Sequence, residues 1–238
     1  MLKEPPRVPA GRRVYAIGDV HGRADLLSEL FKRIDDDLRS HPRASSIQVF
    51  LGDYIDRGPN SREVIDLLIS RQQNHNAMFL KGNHEDCALR LLTDPTVFSE
   101  WKMIGGLSTV MSYGVTLSGH HDPQTHPRIA SAVAEAMPET HHRFLRSLAL
   151  SFTLGDFFFV HAGVRPGVSL AAQSPRDLLW IRDDFLCHEE DFGKVVVHGH
   201  TPTREPEIRT NRINIDTGAY ATGRLTCLVL EDDQISFV

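Results

Sequence analysis

The chain has 238 residues and a formal net charge of −5, from 26 basic and 31 acidic residues, which excludes a binder of nucleic-acid duplexes that works through a broadly basic surface. A chain of this length can bury a substantial core as one domain, and three cysteines without a CxxC spacing indicate a reducing compartment. Because an apolar leader and any run of about 18 apolar residues are both missing, we expect a cytoplasmic protein that does not bind membranes.

The first half of the chain alternates between predicted strands and helices. Residues 1–12, with prolines among charged residues, are predicted to form a flexible N-terminal arm ahead of a single domain at 13–238. Short apolar runs and helical spacing predict strands at 14–17, 47–51 and 78–80 and helices at 24–38, 61–70 and 85–92. These successive strand–loop–helix units indicate an α/β fold whose loops gather at one edge of the sheet.

The second half begins with a predicted helical insertion at 95–150, which we expect to border the substrate cleft. Its helices are predicted at 96–112 and 128–148, and its histidine pairs, 120–121 and 141–142, are expected on solvated faces. Further strands are predicted at 151–154, 157–161 and 194–197, with a short helix at 175–180. The last segments are expected to pair in antiparallel fashion, and they are 206–210, 212–216, 224–230 and 234–238.

Side chains that can bind metal ions follow five of the predicted strands, at the point where each strand ends. They are Asp19 and His21, then Asp53 and Asp56, then Asn83, His84 and Glu85, then His161, and finally His198 and His200. Because parallel strands end at the same edge of a sheet, we expect most of these side chains to share one site. Carboxylate, imidazole and amide groups suit hard or borderline divalent cations, and so many candidate ligands fit two ions that share a carboxylate.

The segments around these residues resemble the signature motifs of the calcineurin-like metallophosphoesterases. Residues 18–22 read GDVHG, residues 52–58 read GDYIDRG and residues 82–85 read GNHE. Later segments, at 161–163, 179–182, 198–202 and 215–219, are similar to the phosphoprotein phosphatase branch in its small bacterial and phage form. The resemblance spans about residues 13–231. It implies an α/β protein built as a four-layer α/β/β/α sandwich of two mixed sheets, with the helical insertion at 95–150.

The resemblance also implies a role for each residue of the predicted site. One metal ion is expected to be held by Asp19 and His21, and the other by Asn83, His161 and His200. Asp53 is expected to bridge the two ions. The expected catalytic residues are the general acid His84, its partner Asp56, and the phosphoryl-binding arginines Arg57 and Arg182. His198 matches no ligand position. Manganese is the expected metal, with iron, zinc, cobalt and nickel as alternatives.

We consider three functions for a protein with these residues. The first is a metal-dependent phosphomonoesterase for phosphoserine and phosphothreonine in proteins and for small aryl phosphates, with in-line attack by a hydroxide that bridges the metals. The second is a dinucleoside tetraphosphate hydrolase. The symmetrical enzymes of that group share the proline at Pro59 but usually lack an aspartate at the position of Asp56, which favours the phosphatase.

The third function is a non-catalytic phosphate-binding module. It predicts the loss of a ligand or of the acid, and none is missing. A phosphocysteine mechanism is disfavoured because Cys87 lies in a predicted helix without a phosphate-binding glycine loop. The expected partners are therefore a phosphoprotein or a small phosphorylated molecule, and the sequence does not define the oligomeric state.

Overall fold

The computed structural model describes residues 5–41, 45–118 and 121–238. The strands of these residues are β1 (Arg12–Ile17), β2 (Ser45–Phe50), β3 (Ala77–Phe79), β4 (Ser151–Leu154), β5 (Phe157–Val160), β6 (Val195–His198), β7 (Glu207–Ile208), β8 (Arg212–Asn214), β9 (Cys227–Glu231) and β10 (Gln234–Phe237). The α-helices are α1 (Ala24–Ser40), α2 (Ser61–Asn74), α3 (Asn83–Leu91), α4 (Phe98–Ile104), α5 (Gly106–Ser112), α6 (His126–Ala136), α7 (Glu139–Arg146), α8 (Pro175–Trp180), α9 (Asp183–Leu186) and α10 (Ala219–Thr222).

The strands form two mixed sheets, as predicted, and each sheet has five strands. The first sheet has the order β10-β9-β1-β2-β3, in which β1, β2 and β3 are parallel and β9 is antiparallel to both of its neighbours. The second sheet has the order β4-β5-β6-β8-β7, in which β5, β6 and β8 are parallel and the two edge strands are antiparallel. Because parallel strands of both sheets end near one another, their loops can build a single site.

Alternating side chains of the strands explain the four layers. In β1, Val14 and Ala16 pack between the two sheets with Phe159 and Val197, whereas Tyr15 faces the helices on the outer side of the first sheet. The outer face of the second sheet is covered by α8 and α9. Both faces of each sheet are therefore covered, which is why the central strands are almost continuously apolar.

The helical insertion is broken into shorter helices than the sequence predicts. Gly105, with φ +116°, ends α4 in a left-handed turn, and Pro138 separates α6 from α7. The prediction of a solvated pair at 141–142 is wrong, because His141 and His142 are both buried. His141 bonds Tyr113 and Asp66 at 2.8 Å each and so ties three helices together. His121 is exposed, and residue 120 lies outside the described residues.

Two other expectations differ from the structure. Val8, in the predicted flexible arm, is buried, and its N–H donates to the Asp232 carbonyl at 2.9 Å. The C-terminal segments do include antiparallel pairs, but β7 and β8 belong to the second sheet and β9 and β10 to the first. Within the described part of the chain, none of the helices combines the length and apolar character needed to cross a bilayer.

Candidate active site

The predicted ligands and the predicted acid meet in one buried site. Asp19 and His21 follow β1, Asp53 follows β2, Asn83 and His84 begin α3 after β3, and His161 and His200 follow β5 and β6. Each of these side chains is at most 5% exposed. Among the described residues, six positions other than glycine have a positive φ. Five of the six belong to the predicted site, and they are His21, Asp53, Asp56, Arg57 and His200. Strained backbone of this kind persists where the surrounding contacts over-determine it, as at functional sites.

Asp53 lies at the centre of the site, between two groups of potential metal ligands. Its Oδ2 lies 3.4 Å from His21 Nε2, and its Oδ1 lies 3.3 Å from His161 Nε2. The ligand atoms of Asp53, His161 and His200 form one cluster, and those of His21, Asp53 and His84 form another, each within 4.8 Å. A carboxylate that belongs to both clusters is the arrangement that a bridging ligand requires.

Two histidines present a lone pair to Asp53 because their other ring nitrogen is held by the backbone. His21 Nδ1 lies 3.0 Å from the Ile55 carbonyl, and His161 Nδ1 lies 3.0 Å from the Leu51 carbonyl. A ring that donates Nδ1–H to a carbonyl has Nε2 free to bind a cation. Burial lowers the pKa of His21 to about 3 and also lowers that of His161, which keeps both rings neutral at neutral pH, as ligands must be.

Several ligand atoms of the site lie close together, and two of them lack a hydrogen-bond donor among the described residues, which fits divalent cations. Asn83 Oδ1 lies 2.9 Å from His161 Nε2 and 3.0 Å from His200 Nδ1. Asp19 Oδ1 and His21 Nε2 are buried and have no hydrogen-bond partner within the described chain. Burial, with Asp216 and Asp53 nearby, raises the pKa of Asp19, a repulsion that a bound cation would relieve.

His84 is held differently from the other histidines, by a carboxylate. Its Nδ1 lies 2.6 Å from Asp56 Oδ2, and its Nε2 faces the site, 3.6 Å from Asp53 Oδ2. Burial alone would lower the pKa of His84, but the carboxylates of Asp53 and Asp56 outweigh it, so that the pKa is raised. A histidine that keeps its proton to higher pH is better suited to donate a proton than to bind a metal.

The two predicted phosphoryl-binding arginines lie on either side of this site. Arg57 Nη2 lies 3.3 Å from His84 Nε2, and its guanidinium carbon lies 4.8 Å from the centre of the Tyr220 ring. Arg182 donates from Nη1 to Thr201 Oγ1 at 3.1 Å, next to His200. Within the described part of the chain, the hydrogen bonds of the two guanidiniums go to the Ile104 carbonyl, to His84 Nε2 and to Thr201 Oγ1 rather than to a carboxylate. Both charges are therefore available to phosphoryl oxygens.

Glu85 is a supporting residue that sequence reasoning noticed without giving it a role. Its buried carboxylate accepts the backbone N–H groups of Asp53, Tyr54, Ile55 and Gly82 at 2.8–3.2 Å and thereby holds the loop after β2. Its position at the end of the GNHE segment was the signal that could have identified it. A side chain at Gly82 would collide with Asp53, which explains the glycine there.

Asp216 is the second residue that was missed, although it lies in the segment 215–219 that carries the resemblance. It is buried beside Asp19, and burial raises the pKa of Asp216 to about 6.

His198 belongs to neither ligand cluster of the described residues, and its ring packs 4.9 Å from Phe185. Cys87 is buried, and burial raises the pKa of its thiol to about 12, which leaves it a poor nucleophile.

The fold and the strand-end ligands define a metallophosphoesterase, and the chain belongs to the calcineurin-like phosphoesterase family, whose sequence profile matches residues 12–235. Members of this family use a dinuclear metal centre. Among curated proteins, the chain is similar to the asymmetrical bis(5'-nucleosyl)-tetraphosphatase PrpE of Anoxybacillus flavithermus, with 28% identity over 89% of this chain and 88% of that protein. The PrpE of Bacillus subtilis is 26% identical over 88% and 87% of the two chains.

Solved structures show the same fold at lower identity. A protein named as a candidate diadenosine tetraphosphatase superposes with a TM-score of 0.64 at 19% identity and covers 98% of this chain and 97% of its own. A cold-active protein tyrosine phosphatase superposes with a TM-score of 0.58 at 19% identity over 97% and 81% of the two chains. These likenesses support the architecture rather than a particular substrate.

Proposed function

We propose that this protein is a metal-dependent phosphomonoesterase that removes phosphate from phosphoserine and phosphothreonine in proteins and from small aryl phosphates. The observation that carries this proposal is the buried pair of Asp56 and His84, in which the second ring nitrogen of His84 faces Asp53. A serine or threonine side chain is a poor leaving group and needs a proton as the phosphorus–oxygen bond breaks. A phosphoanhydride needs no such acid, because its leaving group is already a stable phosphate anion.

The ligand groups divide the proposed metal centre into two positions. The proposed ligands are Asp19 and His21 for one ion, Asn83, His161 and His200 for the other, and Asp53 between them. When bound, two divalent ions activate the attacking water and neutralise the charge on the phosphoryl group. The mixed oxygen and nitrogen ligands suit Mn²⁺, which we propose as the metal.

The protein's own residues bind the phosphoryl group and supply the proton. Arg57 and Arg182 present paired N–H donors to the phosphoryl oxygens. The Nδ1 proton of His84 stays on the ring and is hydrogen-bonded to Asp56. The Nε2 proton is donated to the leaving oxygen, so that the leaving group departs as an alcohol. Because Asp56 stabilises the protonated ring, His84 can regain a proton from solvent before the next turnover.

Comparison of three substrates tests this proposal. The Mn²⁺-loaded protein should hydrolyse a phosphothreonine peptide and p-nitrophenyl phosphate with higher kcat/KM than diadenosine tetraphosphate. The variant His84→Ala should retain both metal ions but lose about 10²–10⁴-fold in kcat on the peptide, the usual contribution of a general acid. On p-nitrophenyl phosphate, whose leaving group is good, the loss should be much smaller. An equal loss on both substrates would contradict the role of His84 as the acid.

The second candidate function is hydrolysis of dinucleoside tetraphosphates, which the names of the curated relatives favour. It predicts that diadenosine tetraphosphate gives the highest kcat/KM by orders of magnitude, with release of nucleotides. It also predicts that His84→Ala affects that reaction little, since a nucleotide leaves without protonation. A non-catalytic module would hydrolyse none of the substrates under any metal condition.

A further inference from the structure

We propose that Trp101 and Thr109 of the helical insertion are positioning residues that fix the pair of Asp56 and His84. The insertion would then control protonation of the leaving group in addition to bordering the cleft. This inference rests on the proposed function, because it concerns the proton that His84 donates. It assigns a task to two residues that are neither proposed metal ligands nor proposed to bind the phosphoryl group.

The carboxylate of Asp56 is held on both of its oxygens by the insertion. Trp101 donates from Nε1 to Oδ2 at 2.7 Å, and this is the same oxygen that accepts from His84 Nδ1. Thr109 donates from Oγ1 to Oδ1 at 2.5 Å. All four side chains are fully buried, so water does not compete for these positions. The carboxylate plane, and with it the His84 ring, is therefore fixed by α4 and α5.

Thr109 also holds the backbone of the same residue. The Asp56 N–H donates to Thr109 Oγ1 at 2.9 Å and to Ser61 Oγ at 3.0 Å. Asp56 has φ +72°, a left-handed conformation that an aspartate adopts only at a cost and that surrounding contacts must hold. One hydroxyl thus accepts from the main chain of Asp56 and donates to its side chain, which a methyl group cannot do.

The segment between the two residues is shaped for this contact. Gly106 lies directly against the Trp101 indole, and a Cβ at that position would come within 2.5–2.7 Å of the ring atoms. The preceding residue, Gly105, accepts the Arg57 N–H at 3.2 Å through its carbonyl. The insertion therefore supports the acid pair and Arg57 together, through residues 101–109.

A pair of threonine variants separates positioning from mere packing. Thr109→Val keeps the volume but removes the hydrogen bonds of the hydroxyl to Asp56 and to Ser61 Oγ, whereas Thr109→Ser keeps the hydroxyl and removes only a methyl group. Loss of hydrogen bonds to a charged group should lower kcat on phenyl phosphate by about 10–100-fold in Thr109→Val, with KM changed by about twofold at most. On p-nitrophenyl phosphate the loss should be about threefold or less, since that leaving group needs little protonation.

The expected pattern includes a rescue and a matched control. Thr109→Ser should restore the phenyl phosphate rate to within about threefold of the wild type, because the hydroxyl is retained. Ser147→Ala removes a hydroxyl elsewhere in the insertion, where it donates to the Phe144 carbonyl at 2.7 Å, and it should leave both rates unchanged. Trp101→Phe should reproduce the substrate dependence of Thr109→Val.

A spectroscopic measurement tests the contact without turnover. In the protein loaded with diamagnetic Zn²⁺, the Nδ1 proton of His84, which is shared with a buried carboxylate, should give a far-downfield NMR signal that is assigned by its loss in His84→Ala. The signal should persist in Thr109→Ser and exchange too rapidly to be observed in Thr109→Val. Persistence of the signal in Thr109→Val, or equal rate losses on both aryl phosphates, would overturn the positioning role.

Failure of the proposed function would look different. In that case the wild-type protein would not hydrolyse phosphomonoesters, while the His84 signal would still distinguish Thr109→Val from Thr109→Ser. Failure of the inference alone would leave an active wild type in which the two threonine variants behave alike.

Discussion

Replacement of Glu85 by glutamine should destabilise the fold and weaken metal binding together. Oε1 of Glu85 accepts the N–H groups of Tyr54 and Ile55 at 2.8 and 3.2 Å, and Oε2 accepts those of Asp53 and Gly82 at 2.9 Å each. A carboxamide has one oxygen, so whichever way it points it turns an NH₂ group towards two backbone donors.

The magnitude follows from the two N–H groups that lose their acceptor. An unsatisfied buried donor costs about 1–3 kcal/mol, so the free energy of unfolding should fall by about 2–6 kcal/mol in Glu85→Gln. Burial and the Asp53 carboxylate raise the pKa of Glu85 to about 7. Urea unfolding of the metal-free protein should therefore be compared at about pH 8, where the carboxylate is ionised.

The effect on the site is measured separately, by metal titration of the folded variant. Asp53 begins the loop that Glu85 holds and has φ +51°, so loss of these bonds should move the central carboxylate and lower the affinity for metal ions. A matched control is Glu29→Gln, an exposed residue of α1 paired with Lys32 at 3.4 Å, which should change stability by about 0.5 kcal/mol at most. The reasoning is refuted if Glu85→Gln unfolds like this control and binds metal like the wild type.

Three other substitutions test separate parts of the structure. Asp53→Asn should lose both metal ions, as elemental analysis after dialysis would show, and one retained ion per chain would contradict a shared carboxylate. Tyr220→Leu removes the ring below the Arg57 guanidinium and should raise KM for p-nitrophenyl phosphate about two- to fivefold, whereas Tyr220→Phe should not. A hydrogen bond from Arg71 lowers the pKa of Asp35, so the stability that this pair contributes is present at neutral pH and lost in acid. The difference in urea unfolding free energy between the wild type and Asp35→Asn should thus shrink below about pH 4, and a constant difference would refute the assignment.

The positions of the predicted ligands could be read from the sequence because they depend on local patterns. Asp19, Asn83 and His161 each follow a short apolar run, and the ends of parallel strands meet at one edge of a sheet. Even so, the sequence could not assign the last strands to their sheets. Residues 212–214 pair with β6 in the second sheet, and residues 227–231 cross to the first. Such crossovers depend on long-range packing rather than on local hydrophobic pattern.

The contacts that support the site could not be predicted for the same reason. Trp101 and Thr109 lie 45 and 53 residues from Asp56 in sequence, within helices that carry no catalytic motif. In the sequence they look like ordinary helical residues. Only the tertiary structure shows that both side chains donate hydrogen bonds to the buried carboxylate of Asp56. His141 is similar, since its bond to Asp66 spans 75 residues and turns an expected surface histidine into a buried link between helices.

The charge of the site shows why the net charge of the chain says little about its substrate. The buried carboxylates at the site are Asp19, Asp53, Asp56, Glu85 and Asp216, and the arginines are Arg57 and Arg182. Counted as ionised, these groups carry three more negative than positive charges, and a phosphate dianion would be repelled. Two divalent ions reverse that balance to one net positive charge, which sequence charge does not include. Phosphate binding should therefore depend on the metal ions. Of the carboxylates that are not predicted ligands, Glu85 holds backbone N–H groups and Asp56 holds the His84 ring.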